Sequence, residues 1–566
     1  PVRLVAREGD LTLAADLRSA RPLRAVAGRD LLGAGSAALT VQHQGAGELT
    51  LLQAGRDVVL ADNSAARVRL SGPGDLLVLA GRDVDLQSAA GLISNGNQDN
   101  PRLLPEGGAR ITVVSGVDWT GADYRAAVAA GLPLKGGGAG LVALEGELWV
   151  ALTALDAGQP LPAAGSDALQ GAARQWRALG TAEREQRTRQ RVGAEAWASG
   201  LREAIRRSEG QAAPAADESA PERALADARA ALAYAALDPA RQAEITAALQ
   251  AQLLAQALHT RAGNADTVRG FVAAVYDTWA PETRALRLHD VLFAELRAAG
   301  RGAARLPAGA ARDAAYQPGY DALAALYPGS ARRPGDIRLS SSQVKTQQGG
   351  GIRLIAPGGS IDAGALTGST AKRASDLGVL TTASGAIEAV VRDNFAVNQS
   401  RVFTLARGDL LIWSSTGNID AGRGAKTVTG APPPVFTIDK DGNVVVDTSG
   451  SFSGSGIAVL DASSALDLFA PQGEIAAGEA GIASRGATFI AGQTLRGNDF
   501  TLGAGAVGAP TKPETGGATA GLANLGQQAS AATARAEAGS EEEDPRKRRR
   551  QRRSLLLDFL GFGPGA

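Results

Sequence analysis

The chain has 566 residues, with 58 Lys+Arg against 58 Asp+Glu and neither Cys nor Met. Balanced charge gives no overall field for nucleic acid or acidic substrates, and the absence of Cys excludes disulfides, thiolate nucleophiles and thiolate-bound metals. Hydrophobic residues reach 44% but aromatics only 4%, and the 72 Gly follow no three-residue period, so collagen is excluded and small aliphatics in short repeats are favoured.

The length exceeds what one compact core supports, but repeat architectures escape that limit because each unit buries its apolar face against its neighbours. No uninterrupted apolar run of 18 residues suits a membrane span, and no signal peptide is visible. A chain that opens on Pro1 and lacks Met is expected to continue upstream.

Repeats organise residues 1–116. The phrase Ala-Gly-Arg-Asp occurs at Ala27–Asp30, Ala54–Asp57 and Ala80–Asp83, each followed by an apolar pair, Leu31/Leu32, Val58/Leu60 and Val84/Leu86. A second phrase, Gly-acid-Leu-x-Leu, stands at Gly9–Leu13 and Gly47–Leu51, with a variant at Gly74–Val78. Alternation turns one face of a short strand inward, and Gly marks the bends between strands. Residues 117–167 read as a transition segment. Lys135-Gly136-Gly137-Gly138 puts its Lys ahead of the glycines, the reverse of a phosphate-cradling loop, and reads as a turn.

From 168 to 330 the period changes. Asp238-Pro239 is a helix start, with Asp as N-cap and Pro at the first helical position. Ile245, Leu249 and Leu253 follow at helical spacing beside Leu254 and Leu258, and a later stripe, Leu288, Leu292 and Leu296, is expected to end at Gly300. Gln211–Pro221 reads as a connector within this unit. The helices are expected to project from one turn of the coil and to hide their own stripes, Leu225 and Leu232 included.

Strands return over 331–508, where a Leu/Ile-x-Leu/Ile strand precedes a turn and Gly-x-Ile at Ile352–Ile361, Leu410–Ile419 and Leu466–Ile475, with a looser copy at Leu377–Ile387. The 56 residues from Gly417 to Gly473 read as two rungs of 28. Asp439–Asn443, between Phe436-Thr437-Ile438 and Val444-Val445-Val446, lacks the Gly and Glu of a calcium loop and reads as a hairpin turn. The fold class is therefore mainly β: a right-handed parallel β-helix interrupted by an α-helical insertion. The alternative is a β-sandwich of short strands. Residues 509–566 lose all apolar periodicity and read as a disordered tail.

Candidate chemistry is sparse. His43, His259 and His289 lack metal-ligand spacing and read as surface or core-edge residues rather than ligands. No Gly-x-Ser-x-Gly elbow is present, and no pattern calls for a cofactor or metal. The repeated Asp30, Asp57 and Asp83 with Arg29, Arg56 and Arg82 could line a cleft, as in a β-helical polysaccharide lyase or hydrolase; a charged ladder or an Asx-bonded turn is the simpler reading. The basic run Arg546, Lys547, Arg548, Arg549, Arg550, Arg552 and Arg553 is a candidate polyanion-binding site acting through counterion release.

The stretch Asn394–Ala425, with Val397–Leu405, Asp409–Ser415 and Gly417–Ala425, resembles the C-terminal segment of large filamentous-haemagglutinin-like exoproteins. Gly335-Asp336-Ile337, Ser342–Thr346, Pro357-Gly358-Gly359, Tyr316–Pro328 and Phe293–Gly300 are similar to it too. The resemblance implies a secreted, non-enzymatic adhesin at the bacterial cell surface, exported by two-partner secretion through an outer-membrane β-barrel transporter, with host or bacterial surface receptors or glycans as partners. It implies no specific nucleic acid, catalytic residue or cofactor. The family's N-terminal secretion domain is not recognisable here, and no toxin-delimiting Val-Glu-Asn-Asn occurs.

Overall fold

Three short strands, Val2–Ala6, Leu11–Leu13 and Leu17–Ser19, make one rung, and Leu23–Ala27, Leu31–Gly33 and Ala38–Gln42 stack on them in parallel register. Apolar side chains at alternate positions face inward, so Leu23, Ala25, Leu31, Leu39 and Val41 are at most 3% exposed. The computed structural model describes residues 1–97, 107–117, 124–212, 214, 217–364, 372, 377–423, 435–438, 444–447, 455–503 and 505–509. Within them ten rungs form a parallel β-helix. Its first and second faces share an 18-stranded sheet and its third is a ten-stranded sheet, both parallel throughout. Nine steps of about 4.8 Å make the coil about 43 Å long. The tail 509–566 lies outside the described residues apart from Ala509.

The fifth rung is split. Its first-face strand, Arg110–Val114, is separated by the helices from its second-face strand, Ile337–Arg338. The coil is nonetheless unbroken: Val84 pairs with Ile337, Leu92 with Val344, and Ile111 with Ile352. Ser115 Oγ donates to the Gly335 carbonyl at 2.9 Å, closing the excursion. Loop closure grows only slowly with length, so a turn tolerates this insertion.

The insertion carries α1 (Arg125–Ala129), α2 (Glu145–Asp156), α3 (Asp167–Ala178), α4 (Thr181–Val192), α5 (Ala194–Glu209), α6 (Ala220–Ala235), α7 (Pro239–Ala262), α8 (Ala265–Asp277), α9 (Pro281–Ala304), α10 (Ala310–Ala315) and α11 (Gln317–Leu326). Helices thus begin well before residue 168. Glycines at 136–138 obscured the period there, with Gly137 and Gly138 at positive φ. Gly136–Asp156 is apolar enough on average to cross a membrane. It is packed instead within the helices, its Glu147 and Glu145 paired with Arg177 and Arg184. Asp238 caps α7 as expected, accepting from the Ala240 and Arg241 amides.

Four further expectations change. The helix expected to stop at Gly300 continues to Ala304, because Gly300 lies against the Phe469 ring where a Cβ would collide. Leu225 and Leu232 are 52% and 72% exposed rather than hidden. The interval from Gly417 to Gly473 is one rung, since Leu410 pairs directly with Leu466; the extra length includes the antiparallel pair Val435–Ile438 and Val444–Asp447, whose connecting turn lies outside the described residues. Finally, Leu377–Ile387 runs from a third-face strand to a first-face strand, and Gly9–Leu13 leads into the second face whereas Gly47–Leu51 leads into the first. Alternation alone does not tell one face from another.

Candidate functional site: the corner ladder and the covered face

At the corner between first and second faces, the Ala-Gly-Arg-Asp repeats build a ladder. The Asp10 carboxylate accepts the Asp30 amide, Asp30 that of Asp57, and Asp57 that of Asp83, each at 3.1 Å. The ladder crosses the insertion: Asp83 accepts from the Asp336 amide at 2.9 Å, and Asp336 from Ser360. Ser360, Asn394 and Asn418 carry it on to the Glu474 amide in the ninth rung. The glycine before each rung sits under its neighbour; a Cβ on Gly55, Gly81 or Gly359 would strike the carbonyl oxygen of Gly28, Gly55 or Gly335.

Arginines clip this ladder from outside. Nε of Arg29, Arg56 and Arg82 donates to Asp10, Asp30 and Asp57 at 2.7, 2.8 and 2.8 Å. The hydrogen bond from Arg29 holds the exposed Asp10 carboxyl down at about 2, and that from Arg56 lowers Asp30 likewise. The acids weighed as a catalytic cleft, Asp30, Asp57 and Asp83, each accept a backbone amide from the next rung. They work as corner acceptors.

The second arrangement was not anticipated. The outer side of the first face is covered, chiefly by α9. Leu79, Val114, Ile355, Val390, Trp413 and Phe469 point outward from successive first-face strands, and all are buried against the helices. The signal lay in the strands themselves: Leu76-Leu77-Val78-Leu79 and Ile352–Ala356 are apolar or buried at consecutive positions, as strands covered on both sides are. The insertion thus lies along the coil; its stripes are hidden by the rungs as well as by one another.

Among these apolar columns runs a chain of alternating charge. Asp75 meets Arg110 at 2.8 Å, Arg110 meets Asp290 at 3.2 Å, and Asp290 meets Arg353 at 2.7 Å. Arg353 continues to Glu388 at 2.7 Å, Glu388 to Arg297 at 3.1 Å, Arg297 to Asp467 at 3.3 Å, and Asp467 to Arg301 at 2.7 Å. Burial alone would raise Asp290, yet Arg353, Arg110 and Arg287 bring it down to about 2. Burial also opposes ionisation of Asp409, and Arg241, at 2.6 Å, together with Arg297 and Arg301, overrides it.

Two histidines read as surface or core-edge residues are fully enclosed. His43 bonds the Pro73 carbonyl and Thr50 Oγ1, both at 2.8 Å. His289 Nε2 lies 2.8 Å from Tyr327 Oη, and its Nδ1 has no partner among the described residues. Burial first, then the nearby Arg353, lowers His289 to about 3. His259 is exposed. Gly136, in the glycine-rich turn, donates its amide to Glu295 at 2.6 Å. No group of three or more acids or histidines placed to hold a metal occurs among the described residues.

An apolar groove of about 760 Å³ runs beside Trp149, Leu161, Leu169 and Trp176. Trp149 stacks on Trp176 at 4.0 Å while the Arg191 guanidinium lies over its ring at 4.6 Å, so its faces are occupied. A polar cavity of about 330 Å³ lies where α7 and α9 meet the coil, and its lining balances Arg241, Arg297, Arg353 and Arg407 against Asp238, Glu244, Glu388 and Asp409. The basic run Arg546–Arg553 lies outside the described residues.

Residues 407–511 match a family model described as filamentous haemagglutinin family outer membrane protein. That match covers the eighth to tenth rungs and overlaps Asn394–Ala425, so the likeness read from those residues holds. None of the curated proteins and none of the solved structures compared matches the chain.

Proposed function

We propose, with that likeness as the premise, that the chain is a structural and adhesive module of a secreted exoprotein. In this reading an outer-membrane β-barrel transporter exports it, and it works at the bacterial surface, where its stacked rungs meet receptors or glycans on host or neighbouring bacterial cells. It acts without catalysis or cofactor. The observation that carries the reading is the ladder from Asp10 to Glu474, which commits the repeated acids to holding rungs together. The basic run Arg546–Arg553 adds salt-sensitive binding to sulfated or phosphorylated polymers, because seven cations would release condensed counterions.

The test is to produce the chain with its native flanking sequence in its own bacterium. Antibody labelling of intact cells is expected, together with binding of the purified protein to cell surfaces or glycans without polysaccharide breakdown. Labelling only after lysis would overturn the placement. Turnover of a polysaccharide that disappears in Asp57→Ala would overturn the non-catalytic reading. Heparin binding unchanged by salt, or by truncation after Pro545, would dismiss the role of the basic run.

A further inference from the structure

A stack of repeats ordinarily couples each unit only to its neighbours, so end units fray while central ones hold. This coil has one element that breaks that rule. With 24 residues, α9 is about 36 Å long, and the eight steps from second to tenth rung span about 38 Å. Helix and coil are matched in length, and the contacts follow that match in order. Glu282 pairs with Arg24 on the second rung. Asp290 bridges Arg110 on the fifth and Arg353 on the sixth. Arg297 reaches Glu388 on the seventh, and Arg297 and Arg301 both reach Asp467 on the ninth. The Arg301 guanidinium also lies 4.6 Å above the Phe489 ring on the tenth.

We propose that α9 is a spine that couples distant rungs directly, so that the second to tenth rungs open as one cooperative unit. Two features support this beyond contact alone. The insertion enters and leaves at the fifth rung, so the helix is held at the middle of the stack and reaches both ways. Its pairs with the coil are mostly buried, and loss of the fifth, sixth, seventh or ninth rung would strand a charge: Asp467, for one, is 0% exposed and its partner Arg301 4%. Losing one partner of a buried pair is far costlier than losing a surface pair. An end rung therefore cannot fray without uncovering Asp467 or Glu282.

The test is hydrogen exchange of the whole chain, read strand by strand by mass spectrometry in increasing denaturant. In the unaltered protein the first-face strands of rungs two to ten are expected to share one opening isotherm. In Arg301→Met, Leu466–Ala470 and Thr488–Ala491 should exchange about tenfold faster while Asp75–Ala80 keeps its rate, a local release of the kind seen when one cooperative unit divides. Val379→Ala, a core change on the third face away from the spine, should accelerate all rungs by one factor. If Arg301→Met does not fold, Glu282→Gln serves at the other end, where Leu23–Ala27 should be released. A rate gradient from ends to middle in the unaltered protein would overturn the proposal. So would equal acceleration of every rung in Arg301→Met or in Glu282→Gln.

Discussion

Asp467 on the ninth rung accepts two hydrogen bonds from the Arg301 guanidinium, at 2.7 and 2.8 Å, across a junction that leaves Arg301 4% exposed and Asp467 0%. Both charges lost their water on folding, and this pair, with Arg297 beside Asp467 and the Ser208 carbonyl beside Arg301, compensates. Asp467→Leu alone is expected to cost about 3–5 kcal/mol, because it leaves Arg301 buried with no carboxylate. Adding Arg301→Met should recover most of that loss, since an apolar pair of similar volume replaces the ions. Urea denaturation of both single variants and the double variant measures the coupling; additive losses would refute it.

Gly300 illustrates packing overriding propensity. On an exposed helix, Gly→Ala gains about 1 kcal/mol. Here a Cβ would enter the Phe469 ring, and Gly300→Ala should instead destabilise by about 1–3 kcal/mol. Combining it with Phe469→Leu should restore part of the loss. Thermal melts of the two variants decide the sign.

Protonation of His289 should make the protein acid-sensitive. The residue is held neutral by burial and faces Tyr327, Tyr124, Arg353, Asp290 and Arg110, with a folded value of about 3 against an ordinary 6.5. The unfolded chain binds the extra proton below about 6.5 and the folded chain does not. Stability is therefore complete above that pH and falls as pH drops from about 6.5 toward 3, by about 1.4 kcal/mol per unit for one proton. Asp290, lowered to about 2 from 3.8, adds its loss only below about pH 4. Between pH 7 and 5 the slope should shrink in His289→Gln, and an unchanged slope would contradict the assignment.

Inside the third face, Ser94, Thr346, Thr381 and Thr404 stack in register with buried hydroxyls that lack partners among the described residues. Thr381→Val keeps the shape and removes an unsatisfied group, so a gain of about 1 kcal/mol is expected. A loss of stability would mean that the hydroxyl is bonded.

The corner ladder separates acceptor from charge. Asp57→Asn keeps an oxygen for the part-buried Asp83 amide and should cost less than Asp57→Ala, which leaves that amide without its acceptor at about 1–3 kcal/mol. Equal losses would assign the effect to charge alone.

Legibility followed the range of the physics. Alternation and glycine corners are local, and they disclosed the parallel coil and its helical interruption. Ala-Gly-Arg-Asp and Gly-x-Ile read as unrelated phrases, yet Asp83, Asp336, Ser360 and Asn418 occupy one corner, and only the stacking reveals that x is the ladder position. The covered face left a trace in the doubly apolar strands, such as Leu76–Leu79. The chain of pairs from Asp75 to Arg301 left none, because partners such as Arg353 and Asp290 lie 63 residues apart. Gly300 read as a stop because the ring it accommodates belongs to a distant rung.

The central claim is that the rungs on either side of the insertion stack directly. Asp85 and Arg338 are register partners, 253 residues apart in sequence, on the second face of the fourth and fifth rungs. The chain has no Cys, so Asp85→Cys with Arg338→Cys offers one disulfide, and neighbouring strands about 4.8 Å apart fall within its Cα range. The measurement is non-reducing electrophoresis after mild oxidation and protease cleavage within 211–219. The account predicts that the two halves stay joined until reductant is added. Halves that separate without reductant, with both thiols still free, would contradict it.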